Sequence, residues 1–332
     1  MFAMTPTSMS ANGLSLDDSR ASGDADALRR DWPAGSRVSG WRARDGWSLR
    51  RFDWPHPNPR GRILVQGGRA DIIEKFLETM IWLHGRGWSV TAFDWRGQGG
   101  SGRLAADPHV GHALSFAPWV DDLGAFWRDW RAEAPGPVAL LGHSMGGHLV
   151  LRALIEGRVD PDAAVLVAPM VGIQSPIGNR LGALLARGLA RIDPERAAWK
   201  VRGDAASAGH RERLLTHSHA RYCDEAYWYA RDPALRLGPP SWGWVAEAFA
   251  SSARLQADPR LATLGTPMLM LVADADGLVD TPAAVRLAAR LPDVELVRFG
   301  AESAHEILRE DDAVRLRAYG LIDAFLARRL GA

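Results

Sequence analysis

From Arg37 onward, apolar residues follow two alternating rhythms: short continuous runs suited to buried strands, and spacings near 3.6 residues suited to helices. Residues 37–43 and 47–54 read as two strands around the turn Asp45-Gly46. Arg62-Ile63-Leu64-Val65-Gln66 predicts a buried strand closed by the tight turn Gly67-Gly68. Ile72, Phe76, Leu77, Met80 and Leu83 then share one helical face. Strands are predicted at 88–94, 138–141, 163–168, 267–273 and 294–299. Helices are predicted at 114–134, 145–156, 281–291 and 312–329. Such alternation predicts an α/β protein whose mostly parallel central sheet is flanked by helices on both faces.

One section breaks the rhythm. Residues 171–240 carry no strand signal, only a helix near 178–191, an Arg/Gly/Ala-rich stretch and an aromatic segment at 222–229. We read them as an inserted helical cap, leaving 36–170 and 241–332 as the core. Residues 1–35 are expected to form a flexible N-terminal arm, because Ser, Ala, Asp and Gly dominate 5–27. That stretch has neither the basic lead nor the apolar centre of a secretory signal. No window approaches the roughly 20 apolar residues of a spanning helix. A cytoplasmic protein is expected, with at most transient contact between its cap and a membrane surface. Its oligomeric state is left open.

Charge and cysteine content narrow the class. The chain has 332 residues, 40 basic and 39 acidic. A balance this even argues against a nucleic-acid partner held by phosphate neutralisation. Only Lys75 and Lys200 are lysines; the remaining basic residues are arginines. Cys223 stands alone, so neither an internal disulfide nor a cysteine zinc site is possible.

The chemistry is concentrated at a few turns. Gly142-His143-Ser144-Met145-Gly146-Gly147 follows a predicted strand and opens a predicted helix. Gly-x-Ser-x-Gly in that setting is a nucleophile elbow, with the flanking glycines permitting close approach of strand and helix. A serine hydroxyl needs a base, and on such a sheet the acid and then the histidine should follow. Asp276 is the first choice for the acid, Asp274 the second and Asp280 the third, with Asp280 the best candidate for capping the next helix. His305 lies after the last strand, where it can reach Ser144. The amide of Met145 and, from the turn after the third strand, that of Gly68 are expected to form the oxyanion hole. Two other patterns are discounted. Gly97-Gln98-Gly99-Gly100-Ser101-Gly102 fits a dinucleotide fingerprint but opens no helix, and reads instead as a tight loop beside the site. His217-x-His219 lacks a third metal ligand.

Taken together, the elbow, the run Phe93-Asp94-Trp95-Arg96-Gly97-Gln98-Gly99-Gly100-Ser101-Gly102, Asp276 and His305 resemble the α/β-hydrolase family, nearest its bacterial lysophospholipases and monoacylglycerol lipases. Leu215-Thr216-His217-Ser218-His219-Ala220-Arg221-Tyr222, Asp232-Pro233 and Gly238-Pro239-Pro240-Ser241-Trp242 look like the cap of the lysophospholipase type. The resemblance spans about 37–330. It implies a serine esterase that works through an acyl-enzyme and needs no metal or organic cofactor. The expected substrate is a small ester, above all a lysophospholipid or monoacylglycerol. A short-chain carboxylesterase, a thioesterase or acyltransferase, and a silent ligand-binding fold remain alternatives. Two positions depart from the family pattern: Gln66-Gly67-Gly68-Arg69 replaces His-Gly-x-Gly, and Ala273 replaces a glycine. Substrate contact is expected from Arg69, His143, Trp228 and Trp242. Most apolar cap residues, including Leu181, Leu184, Leu185, Leu189, Trp199, Tyr222, Tyr227 and Tyr229, are expected to pack the cap onto the core. Arg180, Arg187, Arg211 and Arg221 are expected on a solvated face rather than at a phosphate.

Overall fold

A computed structural model describes residues 28–200 and 205–331. Eight strands form one sheet in the order β1-β2-β4-β3-β5-β6-β7-β8. They are β1 (Arg37–Arg42), β2 (Ser48–Trp54), β3 (Gly61–Gln66), β4 (Trp88–Phe93), β5 (Val138–His143), β6 (Ala163–Val167), β7 (Met268–Ala273) and β8 (Val294–Phe299). β2 runs antiparallel to both β1 and β4, and every other pairing is parallel. The central strands β3, β5, β6 and β7 are buried at every position, as continuous apolar runs covered on both faces must be.

Helices cover both faces. The large aromatic and leucine side chains of α2 (Ala117–Ala132) and α3 (Met145–Ile155) fill one face, with α7 (Trp242–Ala257) and α8 (Thr281–Ala288) beside them. The other face is filled by α1 (Leu77–Gly85) and α9 (Asp312–Leu330). Between β6 and β7 lie α4 (Asn179–Ile192), α5 (Ala205–Leu215), α6 (His219–Arg231) and α7, with no strand among the described residues.

Three of these helices were not legible as helices. In α5 the large apolar residues are confined to the closing Leu214-Leu215. In α6 the aromatic residues gave no clean stripe. In α7 alanine and serine dilute the apolar stripe, although Ser241 caps it by accepting from the Trp244 amide.

Two packing expectations are corrected. Residues 5–27 lie outside the described residues, but 28–35, assigned to the same arm, are seated on the fold. Arg29 and Arg30 both pair with Asp224 of α6, at 2.8 and 3.0 Å, and Trp32 stacks on Phe52 at 5.5 Å. In α4 the residues turned inward are the small ones. Ala186 is fully buried, and a Cβ on Gly182 would lie 3.1 Å from Phe249 of α7. This close approach turns Leu181, Leu184 and Leu185 outward, at 57, 66 and 46 % exposure, instead of against the core.

Candidate active site

The reactive groups gather at the carboxyl ends of β3, β5, β7 and β8, where loops from parallel strands converge. Ser144 joins β5 to α3 with φ 53° and ψ −119°, a conformation that L residues rarely adopt. The turn is held by a backbone bond from Ser144 to Val167, 2.9 Å, and by His148 and Met170 amides donating to the Ser144 carbonyl. Glycine is required around it. A Cβ at Gly146 would lie 2.3 Å from the Gly67 carbonyl oxygen, and one at Gly142 would lie 2.8 Å from Gly147.

Ser144 Oγ lies 2.8 Å from His305 Nε2, and His305 Nδ1 lies 2.6 Å from Asp276 Oδ2. The other Asp276 oxygen accepts the amides of Leu278 and Val279, at 2.8 and 3.0 Å. All three side chains are buried or nearly so. Burial pushes the Asp276 carboxyl up, but His305 and the two amides outweigh it and hold it below the usual carboxylate range. For His305, burial favours the neutral ring, while the carboxylates of Asp276, Glu306 and Asp71 outweigh it and leave its affinity for a proton raised. The two other acid candidates do other things. Asp274 pairs with Arg298 at the surface, and Asp280 caps α8 by accepting from Ala283.

The turn expected to supply the second oxyanion amide is closed around Asp71. The Gly68 amide donates to Asp71 Oδ2 at 2.6 Å, so it is already occupied. Gly68 is nonetheless essential in shape, since a Cβ there would lie 2.8 Å from Ser144 Cβ. The next amide along, that of Arg69, and the amide of Met145 have no hydrogen-bond partner among the described residues. Ala70 follows with φ 62°, and its amide donates to Gln98 Oε1. The glycine-rich loop 97–102 thus props the turn after β3, with Asp94 accepting the amides of Ile73 and Gly100.

The predicted substrate residues divide. Arg69 donates to the Gly238 carbonyl at 2.9 Å and lies over Trp244, with no carboxylate partner among the described residues. Burial pushes its guanidinium down to about 10. His143 is buried, with Nδ1 at 3.1 Å from Asp71 and Nε2 unpaired among the described residues. Trp242 is half-buried with an unpaired indole nitrogen. Trp228 is spent elsewhere: its indole donates to the Arg29 carbonyl and its ring packs on Trp32. Of the arginines expected on a solvated face, Arg180 and Arg187 are exposed and Arg211 pairs with Glu225, but Arg221 is buried, because Glu78 and Asp312 draw its guanidinium inward. His217 and His219 face different carboxylates, Glu310 and Glu212.

One cluster escaped the sequence reading. Carboxylate oxygens of Asp71, Glu225 and Glu306 lie within 4.8 Å of one another, a spacing that would suit a cation. The ammonium of Lys75 takes that place, at 2.7, 3.0 and 2.5 Å from the three.

Residues 57–312 match the Hydrolase_4 family, described as serine aminopeptidase, S33. The chain is 36% identical over 285 residues to lysophospholipase L2 of Escherichia coli strain K12, covering 79% of each chain. It is 25% identical over 217 residues to monoglyceride lipase of Rattus norvegicus, covering 62% of this chain and 66% of that one. In fold it is similar to a soluble variant of monoglyceride lipase from Saccharomyces cerevisiae solved with a substrate analog. The TM-score is 0.73 and the identity 18%, over 90% of this chain and 97% of that one.

Proposed function

The chain belongs to the serine aminopeptidase S33 (Hydrolase_4) family and has the α/β-hydrolase fold, and from that premise we propose that it cleaves the ester of a monoacyl lipid, with lysophospholipid the favoured class. It is a carboxylic-ester hydrolase. The observation that carries the finer reading is the linear chain Asp276–His305–Ser144, at 2.6 and 2.8 Å. His305 accepts the Ser144 proton as Oγ attacks the ester carbonyl. The amides of Met145 and of the Gly68–Arg69 turn meet the developing oxyanion. Asp276 fixes the His305 tautomer and stabilises the imidazolium. The alcohol leaves with the proton from His305, and water then releases the fatty acid from the acyl-serine.

Headgroup and surface preference follow from two unpaired features. The Arg69 guanidinium, adjacent to the oxyanion turn and without a carboxylate, suits the phosphate of a lysophospholipid. Exposed Leu181, Leu184, Leu185 and Ile192 alternate with Arg180, Arg187 and Arg191 on α4, which has no acidic residue. That face suits the surface of an anionic membrane. Among the described residues no helix is long and apolar enough to cross one. Aminopeptidase action is disfavoured, because a free α-amine needs an unpaired carboxylate. Asp71, Glu225 and Glu306 each already hold a cation. Rates on lysophospholipids, monoacylglycerols and short p-nitrophenyl esters of matched concentration test the reading. Preference for the phosphate-bearing lipid supports it, and cleavage of short esters alone replaces it with a general esterase.

A further inference from the structure

Three segments must keep register for the proposed chemistry: the oxyanion turn, the loop carrying His305, and the cap helix α6. One side chain touches all three. Lys75, 3 % exposed at its side chain, donates to Asp71 of the oxyanion turn, to Glu306 beside His305, and to Glu225 of α6. Each acceptor passes the contact on. Asp71 holds the Gly68 amide and His143. Glu306 pairs with Arg309 at 2.6 Å, and its amide binds the Leu215 carbonyl at the end of α5. Glu225 pairs with Arg211 at 2.8 Å. Three cations thus face three carboxylates, which is how so much buried charge is tolerated.

The residue type is itself informative. Of 40 basic residues only two are lysines, and one sits here. A planar guanidinium forks toward one or two carboxylates, whereas a compact ammonium directs three donors to three acceptors converging on a point. An arginine-rich chain retaining lysine at this position follows from that geometry.

The geometry points to Lys75 as a positioning residue that sets the oxyanion turn against the His305 loop and ties both to α6. This rests on the serine-hydrolase reading above, since it acts through Ser144 and His305. Charged or titratable groups around His305 come from each packed element: Asp276 after β7, Glu306 beside it, Asp71 and Lys75 after β3, and His143 at the end of β5. Removing the Lys75 charge leaves Asp71 and Glu306 less neutralised and favours imidazolium, whereas removing the Glu306 charge disfavours it.

The test compares wild type, Lys75→Met, Lys75→Arg and Glu306→Gln. It measures kcat and KM on the ester that wild type cleaves, Tm, and the pH dependence of Ser144 labelling by a fluorophosphonate. For Lys75→Met we expect kcat to fall about 10- to 100-fold with KM within about threefold, because the turn acts mainly in the transition state. The acid limb of labelling should move up by about half a pH unit in Lys75→Met and down by a similar amount in Glu306→Gln. Lys75→Arg should not restore the rate. A fall in Tm alone, with kcat and the acid limb as in wild type, overturns the proposal. If Lys75→Met does not fold, Glu306→Gln decides: an unmoved acid limb overturns it. Labelling needs no ester turnover, so failure of wild type to cleave any lipid would count against the proposed function and leave this test standing.

Discussion

The backbone amide of Gly68 donates to the carboxylate of Asp71 three residues further on, at 2.6 Å, and Asp71 is in turn neutralised by Lys75. That bond shapes the oxyanion turn from within. It engages the Gly68 amide and lays the bare Gly68 Cα against Ser144, where a Cβ would come within 2.8 Å of the serine Cβ. Gly68→Ala should therefore lower kcat/KM about 100-fold or more by displacing the nucleophile, at a stability cost of about 1–3 kcal/mol from overpacking. Steady-state kinetics and Tm on the same preparation check both halves.

The three acid candidates after β7 should separate cleanly. Asp276→Asn leaves the shape but supports the wrong His305 tautomer, and kcat should drop on the order of 10⁴-fold, as in other serine triads. Asp274→Asn breaks only a surface pair with Arg298 and should leave activity within about twofold. Asp280→Ala should cost about 1 kcal/mol of stability through loss of the α8 cap.

The acid limb of kcat/KM should lie above 6.5, the ordinary value for a histidine, because the surrounding carboxylates raise His305 more than burial lowers it. Activity falls as the pH drops through that limb, since imidazolium cannot accept the Ser144 proton. Stability has the opposite sign for this group. The raised His305 contributes stability below its unfolded value and loses it as pH rises through the folded one. The lowered Asp276 contributes above its unfolded value and loses it as pH falls. A pH–rate profile paired with Tm across the same range reads both.

Arg69→Met keeps the backbone amide and removes the guanidinium. The rate ratio of lysophospholipid to monoacylglycerol should fall about tenfold, the effect of one charge-assisted contact worth about 1.5 kcal/mol. An unchanged ratio would remove Arg69 from headgroup selection.

Replacing Leu181, Leu184 and Leu185 by serine should weaken binding to anionic vesicles, since each leucine offers about 1.5–3 kcal/mol when fully buried. Hydrolysis of a short soluble ester should be unchanged. Vesicle sedimentation beside a p-nitrophenyl ester assay checks this.

The central sheet and the Ser144, Asp276 and His305 positions were legible because each is announced locally, by an apolar run followed by a characteristic turn. The engagement of the Gly68 amide by Asp71 was not legible, because nothing in Gly67-Gly68-Arg69 announces which amide the turn ties down. Residues 171–240 were legible as a stretch without strands, but α5 within it and α7 beyond it carry too little apolar periodicity to be seen. Leu181, Leu184 and Leu185 point outward because Gly182 and Ala186 pack closer to α7 than leucine permits. The Lys75 cluster was invisible because its three acceptors lie at positions 71, 225 and 306 and meet only in the fold.

The most direct measurement is fatty-acid release from a long-chain lysophospholipid by wild type and by Ser144→Ala. The account predicts release by wild type and a loss of at least 10³-fold in Ser144→Ala, roughly the minimum expected when a triad nucleophile is removed. Equal release by both proteins would contradict it, as would no release by wild type together with no fluorophosphonate adduct on Ser144.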